Sequence, residues 1–269
     1  MFNDYRYVNE SNWLKKLMAF FVLYKCLYWI IDFELLFSDN NIIYHNSVQL
    51  PSWKNVVFVL FNHPTPLISG LFIALSIALA LYVVFFNKQH RIVFFILWLA
   101  ISNLNNNTFC TLTGGDSLLQ VLLFLCIFLS NTQRKENSVL GDLDMAFHNM
   151  GITALQIQVC LVYFLNAVAK LADSDWINGN AVSDTLALHE FSLPFLYQSN
   201  TTIDLVLNYT VILYQLLFPV LVWIKKIKKW YLLLGVFQHL YIAFILGLPS
   251  FGLIMILAYA AFYAPFKKT

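Results

Sequence analysis

The stretch LISGLFIALSIALALYVVFF, residues 67–86, decides the class of this protein. It runs for 20 residues without a charge, which is the length an α-helix needs to cross the hydrocarbon core of a bilayer. Across all 269 residues, 60% are hydrophobic, 11% are charged and 25 are Phe. Soluble domains carry about 45–50% apolar and about 25% charged residues. The sequence therefore predicts an all-α, polytopic membrane helix bundle that has the lipid bilayer as a partner.

Long apolar runs predict about eight transmembrane helices within a single domain, residues 1–269. The fourth and eighth runs hold about 14 residues against the usual ~20, so each extends into a flanking loop or is partly re-entrant. Lys25, Asp32 and Glu34 interrupt the first run, and no small-residue cleavage pattern follows, which favours a retained helix over a signal peptide. The predicted spans are approximately residues 17–37, 67–86, 92–112, 117–130, 151–172, 203–224, 230–248 and 251–264.

The basic residues predict how these spans are oriented. With a cytoplasmic N-terminus, 13 of the 16 Lys and Arg residues fall in cytoplasmic segments and only Lys54 falls in an outer loop. This positive-inside bias predicts cytoplasmic N- and C-termini and a multi-pass protein of the cell (inner) membrane. The outer loops are then residues 38–66, 101–116 and 173–202, with a tight turn at 249–250. The cytoplasmic set is Arg6, Lys15, Lys16, Lys88, Arg91, Arg134, Lys135, Lys225, Lys226, Lys228, Lys229, Lys267 and Lys268.

Polar residues inside three spans form stripes. In the fifth span, Gln156, Tyr163, Asn166 and Lys170 recur at helical spacing, with Lys170 near the outer end. Two further sets of polar residues have similar helical spacing. All three stripes are concentrated toward the outer leaflet, and together they predict a polar cavity open to the extracytoplasmic side. These sets are Asn103, Asn106 and Asn107 in the third span, and Asp204, Asn208 and Gln215 in the sixth.

Each stripe also has a simpler explanation, because Asn and Gln often join transmembrane helices through hydrogen bonds. Packing is the preferred explanation for any single Asn. Function is preferred for Lys170, since ionisable residues within spans usually mark sites. Lys25 either pairs with an acidic residue of a neighbouring helix or is neutral. For His239, an interhelical hydrogen bond is favoured over chemistry.

Several kinds of chemistry are not indicated. The six His residues include no HxxH pair, the four Cys residues include no CxxC, and the net charge of +2 does not suggest nucleic-acid binding. No metal site is expected, and Cys110 is the one cysteine placed outside the membrane. The remaining candidates are a lysine-centred intramembrane enzyme and a transporter or receptor with a polar cavity.

The segment LVYFLNAVAKLADSDWINGNAV, residues 161–182, resembles the most distinctive part of the vitamin K-dependent γ-carboxylases. It is similar to the same part of their bacterial relatives, the horizontally transferred transmembrane (HTTM) proteins. The Asn-rich turn and Gly-Gly-Asp of residues 105–130 resemble the family as well, and Asp116 is expected as a helix N-cap. Weaker matches are LYQLLFPVLVW, residues 213–223, and GVFQHLYIAF, residues 235–244.

The resemblance implies a specific chemistry. Lys170 would be the base that deprotonates a reduced vitamin K or menaquinol-type quinol, which oxygen converts to an epoxide through a strongly basic alkoxide. That alkoxide removes a proton from a substrate Glu, and carbon dioxide traps the carbanion. A lysine can act so only where desolvation favours its neutral form. The implied quinol contacts are Asn103, Asn106, Asn107, Gln156, Tyr163 and Asn166, and the implied substrate contacts are Asp116, Trp176, Asp204 and His239.

Two departures leave the reaction open. The chain ends at Thr269, so the lumenal part with which eukaryotic carboxylases bind their substrate is not expected, and Asn107 stands where the family has an assisting His. Short bacterial members act on secreted peptides with accessory proteins. We therefore expect an enzyme of peptide maturation, by carboxylation or another step. The alternative is a non-enzymatic protein that binds, transports or gives immunity to a peptide or lipid.

Overall fold

The computed structural model describes residues 7–38, 65–86, 90–131, 138–188 and 201–262. Regular structure in these ranges is entirely helical, as the sequence predicts. The chain divides into two compact units, Met1–Ile152 and Thr153–Thr269. The assignment of residues 1–269 to one domain stays a prediction.

The N-terminal unit is a bundle of helices in which α1 packs against α3 and α5, and α4 packs against α3 and α5. A 3-10 turn, Phe109–Thr111, follows α4. The first part of a long helix, α6, completes the unit. The helices are α1 Val8–Ile31, α2 Phe33–Phe37, α3 Pro66–Phe85, α4 Arg91–Asn107, α5 Gly114–Cys126 and α6 Val139–Leu171.

The side chains of α3 are arranged as expected for a helix in lipid. Its buried positions include Ser69, Ser76 and Ala80, whereas Leu67 and Phe85 are 73% and 75% exposed. Lipid tails are as apolar as leucine, so leucines gain little from the protein interior and small residues bring helices close together. This pattern places the apolar surface of α3 toward the bilayer.

In the residues that the structure describes, the C-terminal unit contains the remainder of α6 and five further helices. In it, α8 packs against α9 and α10 packs against α11. A left-handed Gly247, with φ of +66°, turns the chain between α10 and α11, and Pro249 is the first residue of α11. The helices are α7 Ser174–Ile177, α8 Ala181–Ala187, α9 Thr201–Leu221, α10 Lys225–Phe244 and α11 Pro249–Ala258, followed by a 3-10 turn, Tyr259–Phe262.

Three helices of the described ranges are long and apolar enough to cross a membrane: α3, α6 and α9 from Thr202. Helix α5 and the segment Pro249–Phe262 are apolar but shorter. Each of the eight predicted spans contains a helix, while the number of crossings and their orientation stay predictions. Parts of those predictions lie outside the described residues, namely most of loop 38–66, residues 189–200 of the third outer loop, residues 263–264 of the last span, and Arg6, Lys54, Lys88, Arg134, Lys135, Lys267 and Lys268.

Several helices have bounds that differ from those of the predicted spans. Helix α6 begins at Val139 instead of residue 151, because its first turns are amphipathic and the apolar run alone understates its length. Helix α1 begins at Val8 instead of residue 17 and ends at Ile31, before Asp32. A tight turn was predicted at residues 249–250, but the turn lies before Pro249, which begins α11. Lys15, predicted on a cytoplasmic flank, has a fully buried side chain whose Nζ donates a hydrogen bond to the Ser130 carbonyl oxygen at 3.4 Å.

Candidate functional site

Lys170 lies in the last turn of α6 and its amine stands over an indole ring. The Nζ atom is 4.6 Å from the ring centroid of Trp176, a cation–π contact. Trp176 is placed there by α7, whose N-cap residue Asp173 accepts a hydrogen bond from the backbone N–H of Asp175 at 2.9 Å. Both Lys170 and Trp176 are half-buried. No described carboxylate lies within ion-pair distance of Lys170. The exposed Asp173 acts on the amine only at longer range, and the Trp176 ring stabilises its charged form.

Helix α9 fixes the position of Trp176. The Asn208 side chain donates from Nδ2 to the Trp176 carbonyl oxygen at 2.7 Å, and the Tyr209 hydroxyl donates to the Ile177 carbonyl oxygen at 2.5 Å. Gly179 has φ of +83°, and a Cβ there would lie 3.2 Å from Leu205 of α9. The close approach and the two hydrogen bonds hold α7 against α9.

The predicted polar stripe of α9 is buried along its length. Asp204, Asn208 and Gln215 are 4%, 0% and 8% exposed. One acceptor oxygen of each residue, Oδ2, Oδ1 and Oε1 respectively, has no hydrogen-bond partner in the part of the chain that the structure describes. Unpaired buried acceptors are costly, so this stripe is suited to a ligand that brings hydrogen-bond donors.

The polar stripe of α6 is divided among different surroundings. Gln156 is buried and donates from Nε2 to the Ala261 carbonyl oxygen at 2.8 Å, a contact that joins α6 to the last turn. Asn166 is half-buried, and Tyr163 is 1% exposed. The hydrogen bond of Gln156 is therefore a packing contact, whereas Tyr163 enters a larger polar cluster.

That cluster, which we call the tyrosine chain, consists of His239, Tyr163, Tyr259 and Tyr214, with Tyr231 beside it. The Tyr163 hydroxyl lies 2.5 Å from His239 Nε2 and is also hydrogen-bonded to the Tyr259 hydroxyl. Tyr259 and Tyr214 have hydroxyl oxygens 3.2 Å apart, and Tyr214 donates to the Tyr231 carbonyl oxygen at 3.2 Å. The favoured sequence interpretation of His239, an interhelical hydrogen bond, agrees with this geometry.

Tyr214 and Tyr259 of this cluster were not predicted from the sequence, nor was Tyr231 beside it. Tyr231 and His239 are eight residues apart on α10, a spacing that places them on one helix face. Tyrosines in apolar segments bring hydroxyls that need partners when buried. The spacing of Tyr231 and His239, together with tyrosines in apolar segments, could have indicated a buried polar cluster. It does not identify which tyrosines contact one another.

An apolar groove lies on the same unit. Its cavity volume is about 190 Å³. Helix α6 provides one wall and the C-terminal end of α9 with the residues after it provides the other. The lining residues are Ile157, Cys160, Leu161, Phe164, Pro219 and Trp223.

The predicted asparagine site belongs to the N-terminal unit. Asn107 donates from Nδ2 to Asn103 Oδ1 at 3.2 Å, and both residues are buried. Asn106 is exposed, so the structure separates it from the other two. Both side-chain polar atoms of Asn105, which the sequence analysis did not select, are buried without a hydrogen-bond partner in the described ranges.

Asp116 also lies in the N-terminal unit, where its carboxylate is engaged by structural partners. Its Oδ1 forms an ion pair with Lys25 Nζ at 2.7 Å, which realises the pairing alternative for Lys25. Its Oδ2 accepts from the Thr113 backbone N–H at 2.8 Å and from the Thr113 hydroxyl at 2.9 Å. The N-cap expectation for Asp116 was wrong, because α5 begins at Gly114 and Thr113 is its N-cap. These contacts favour a structural role for Asp116.

The other predicted contacts fall in the C-terminal unit, which brings Lys170 to Trp176 and Tyr163 to His239. In the described ranges no three His, Cys, Asp or Glu residues are grouped as metal ligands would be. His45, His63 and His189 lie outside those ranges.

Comparison with known proteins finds two relatives in Bacillus subtilis strain 168. The chain is 26% identical over 175 residues to the sporulation-delaying protein SdpB, a match that covers 59% of this chain and 53% of SdpB. It is 27% identical over 173 residues to the uncharacterized protein YitO, covering 58% of this chain and 55% of YitO. The chain thus spans about half the length of the curated relatives it matches. No family model matches the chain, and no solved structure matches it.

Proposed function

We propose that this protein is an integral membrane enzyme that modifies a secreted peptide, with Lys170 as the base and a membrane quinol as the cofactor. The observation that carries the proposal is the Lys170 amine, half-buried at the end of a long apolar helix over Trp176 and without an ion pair among the described residues. Burial disfavours the charged form of an amine, so a half-buried lysine that forms no ion pair among the described residues can give up its proton and act as a base.

The setting of this site is proposed from the sequence. The apolar runs predict eight crossings and the positive-inside bias predicts cytoplasmic termini, so Lys170 would lie on the extracytoplasmic side of a bacterial inner membrane. The resemblance of residues 161–182 to the HTTM relatives of the γ-carboxylases supports a role in peptide maturation, and the similarity to SdpB, whose name connects it with delayed sporulation, is in keeping with that role. An accessory protein would assist that step. Carboxylation is one form of the reaction.

The groups of the C-terminal unit fit a quinol. A quinol carries two hydroxyl donors and an apolar tail, and the α9 stripe supplies the unpaired acceptors Asp204 Oδ2, Asn208 Oδ1 and Gln215 Oε1. The apolar groove beside Pro219 and Trp223 suits an isoprenoid tail. When bound, the quinol would supply the reducing equivalents that oxygen consumes. Lys170 would accept a quinol proton at Nζ.

The first test measures oxygen uptake by the full chain in liposomes after addition of a vitamin K-type naphthohydroquinone. General base catalysis contributes about 10²–10⁴-fold, so Lys170→Ala should lower quinol-dependent uptake by at least about 10²-fold. Lys170→Arg should be equally inactive, because arginine keeps the cationic contact with Trp176 but does not release its proton.

The matched control is Lys229→Ala. Lys229 also lies over a tryptophan, 5.7 Å from the ring centroid of Trp230, but both residues are exposed at the start of α10. This variant should keep full oxygen uptake. Activity in Lys170→Ala equal to that of Lys229→Ala would exclude Lys170 as the base.

A second candidate function is non-enzymatic binding of a peptide or lipid in the same unit. It is favoured by the α9 stripe, because the Asp204 carboxylate is 4% exposed and one of its oxygens has no partner in the described ranges. A cationic peptide group would satisfy that oxygen. Secreted peptides of the host cell that bind the purified chain and keep an unchanged mass, without oxygen uptake, would support binding over catalysis.

A further inference from the structure

The protons of the tyrosine chain can be assigned, because each phenol carries a single proton. The Tyr231 carbonyl oxygen can only accept, so the Tyr214 proton is donated to it. The Tyr214 oxygen then accepts the proton of Tyr259, and the Tyr259 oxygen accepts the proton of Tyr163. The Tyr163 oxygen is left to accept from His239 Nε2 at 2.5 Å.

This polarity determines the tautomer of His239. A neutral imidazole has one donor and one acceptor nitrogen, so a proton on Nε2 leaves Nδ1 with a free lone pair. His239 is 1% exposed, and Nδ1 has no hydrogen-bond partner among the described residues. A doubly protonated ring would be a buried charge without an ion pair, which is far more costly than the neutral ring.

The opposite polarity is less favourable for two reasons. If every phenol donated in the reverse direction, the hydrogen bond from Tyr214 to the Tyr231 carbonyl oxygen would be lost. The His239 proton would then sit on Nδ1 as a buried N–H without a partner. Orphaned buried N–H groups are rare in native structures.

The rings that carry the chain are held by packing. Tyr163 stacks on Phe218 with centroids 4.0 Å apart and an angle of 19° between the planes. Tyr214 stacks on Tyr231 with centroids 4.6 Å apart. The Tyr231 hydroxyl donates to the Tyr214 carbonyl oxygen at 2.5 Å and is not a member of the chain. Tyr231 can therefore lose its hydroxyl while the carbonyl that terminates the chain remains.

We infer that the tyrosine chain fixes His239 as the Nε2–H tautomer and presents Nδ1 as the hydrogen-bond acceptor for one hydroxyl of a bound hydroquinone. The identity of the ligand rests on the proposed function, whereas the tautomer does not. Tyr163, Tyr259 and Tyr214 are positioning residues in this arrangement, because they act on a ligand only through His239.

The tautomer can be observed without turnover, by solid-state NMR of the full chain with ¹⁵N,¹³C-labelled histidine in lipid bilayers. Protonated and unprotonated imidazole nitrogens resonate in separate regions, and the bonded carbons distinguish Nδ1 from Nε2. His239→Gln identifies the signal by its loss. We expect Nε2 to be protonated and Nδ1 to be unprotonated. A protonated Nδ1 in the unaltered chain would overturn the inference.

Tyr259→Phe tests the proton chain directly. It removes the acceptor of the Tyr163 proton, so that proton can be donated only to His239 Nε2. We expect a population with protonated Nδ1 that is absent from the unaltered chain. Tyr163→Phe should also give a population with protonated Nδ1, because it removes the hydroxyl that accepts from His239 Nε2. This second variant keeps the test valid if the first folds poorly. Tyr231→Phe is the matched control and should leave both nitrogen signals unchanged. If Tyr231→Phe and Tyr259→Phe change the nitrogen signals equally, the inferred direction of the hydrogen bonds in the tyrosine chain is overturned.

The ligand is tested with a vitamin K-type naphthohydroquinone and its dimethyl ether, which lacks the donor protons. The hydroquinone should shift the Nδ1 signal and the ether should not. No shift with the hydroquinone would overturn the acceptor role of Nδ1 while leaving the tautomer measurement intact. A shift without Lys170-dependent oxygen uptake would retain this inference and contradict the proposed reaction.

Discussion

At the scale of single residues, two ion pairs among the described residues of the N-terminal unit differ in burial. Lys25 and Asp116 have side chains that are 5% and 0% exposed, with Nζ and Oδ1 2.7 Å apart. Arg91 and Asp144 are equally close, at 2.7 Å, but their side chains are 35% and 31% exposed. Removing one partner of a buried pair leaves an uncompensated charge, whereas water solvates the survivor of an exposed pair.

Lys25→Met should therefore destabilise the protein by about 3–5 kcal/mol, since the Asp116 charge is left buried. The measurement is the free energy of unfolding of the full chain, from SDS titration in mixed micelles. Asp144→Asn should cost no more than about 1 kcal/mol, because its pair is partly exposed.

A double variant completes this test. In Lys25→Met combined with Asp116→Asn neither position carries a charge, and an amide oxygen can still accept from Thr113. The free energy of unfolding lost by this double variant should be smaller than the sum of the losses caused by Lys25→Met alone and Asp116→Asn alone. Equal losses for Lys25→Met and Asp144→Asn would show that burial does not govern the strength of these pairs.

At the scale of elements, the tyrosine chain requires a helix without a side chain at Gly235. A Cβ at this position of α10 would overlap the hydroxyl oxygens of Tyr214 and Tyr259. Helix α11 approaches α10 closely at a second glycine, where a Cβ on Gly252 would lie 2.7 Å from the Ala243 Cβ. Small residues at both positions let these helices meet.

Gly235→Ala should destabilise the C-terminal unit by about 1–3 kcal/mol, the usual cost of overpacking. The same SDS titration measures this loss, and the His239 nitrogen signals should broaden because the hydroxyls are displaced.

Gly70→Ala in α3 is the control for that substitution. A Cβ at Gly70 would lie 3.9 Å from Phe33, which is ordinary contact. The variant should be as stable as the unaltered chain or gain up to about 1 kcal/mol from helix propensity. If Gly235→Ala and Gly70→Ala have the same free energy of unfolding, the packing described for the tyrosine chain is contradicted.

At the scale of the whole molecule, the predicted orientation can be tested with a native cysteine. Cys110 is exposed and falls in the predicted outer loop 101–116. The other cysteines are buried, namely Cys26, Cys126 and Cys160. A charged, membrane-impermeant maleimide added to intact spheroplasts should therefore modify the chain at Cys110.

The control is Cys110→Ser, which should abolish the modification. If Cys110 reacts only after the membrane is broken, its loop is cytoplasmic and the predicted orientation is reversed. Lys170 would then lie on the cytoplasmic side under the predicted number of spans, and a secreted peptide would not reach it after export.

Two kinds of feature could be read from the sequence. Long apolar runs located the longer helices, because a membrane helix must be largely apolar over its length. Helical spacing also predicted that Asp204, Asn208 and Gln215 share a face, and all three are buried. Helix α6 begins before its predicted span, because its first turns carry polar residues and do not extend the apolar run.

The sequence by itself determined the helical membrane character of this protein and singled out Lys170, Tyr163 and His239 as polar groups in apolar surroundings. Only the tertiary structure decided their partners: Trp176 for Lys170, and the hydroxyls of Tyr259 and Tyr214 for the chain that begins at His239. Periodicity assigns a residue to a face of its own helix. Which faces meet depends on the rotation and approach of separate helices, which small residues such as Gly235 permit.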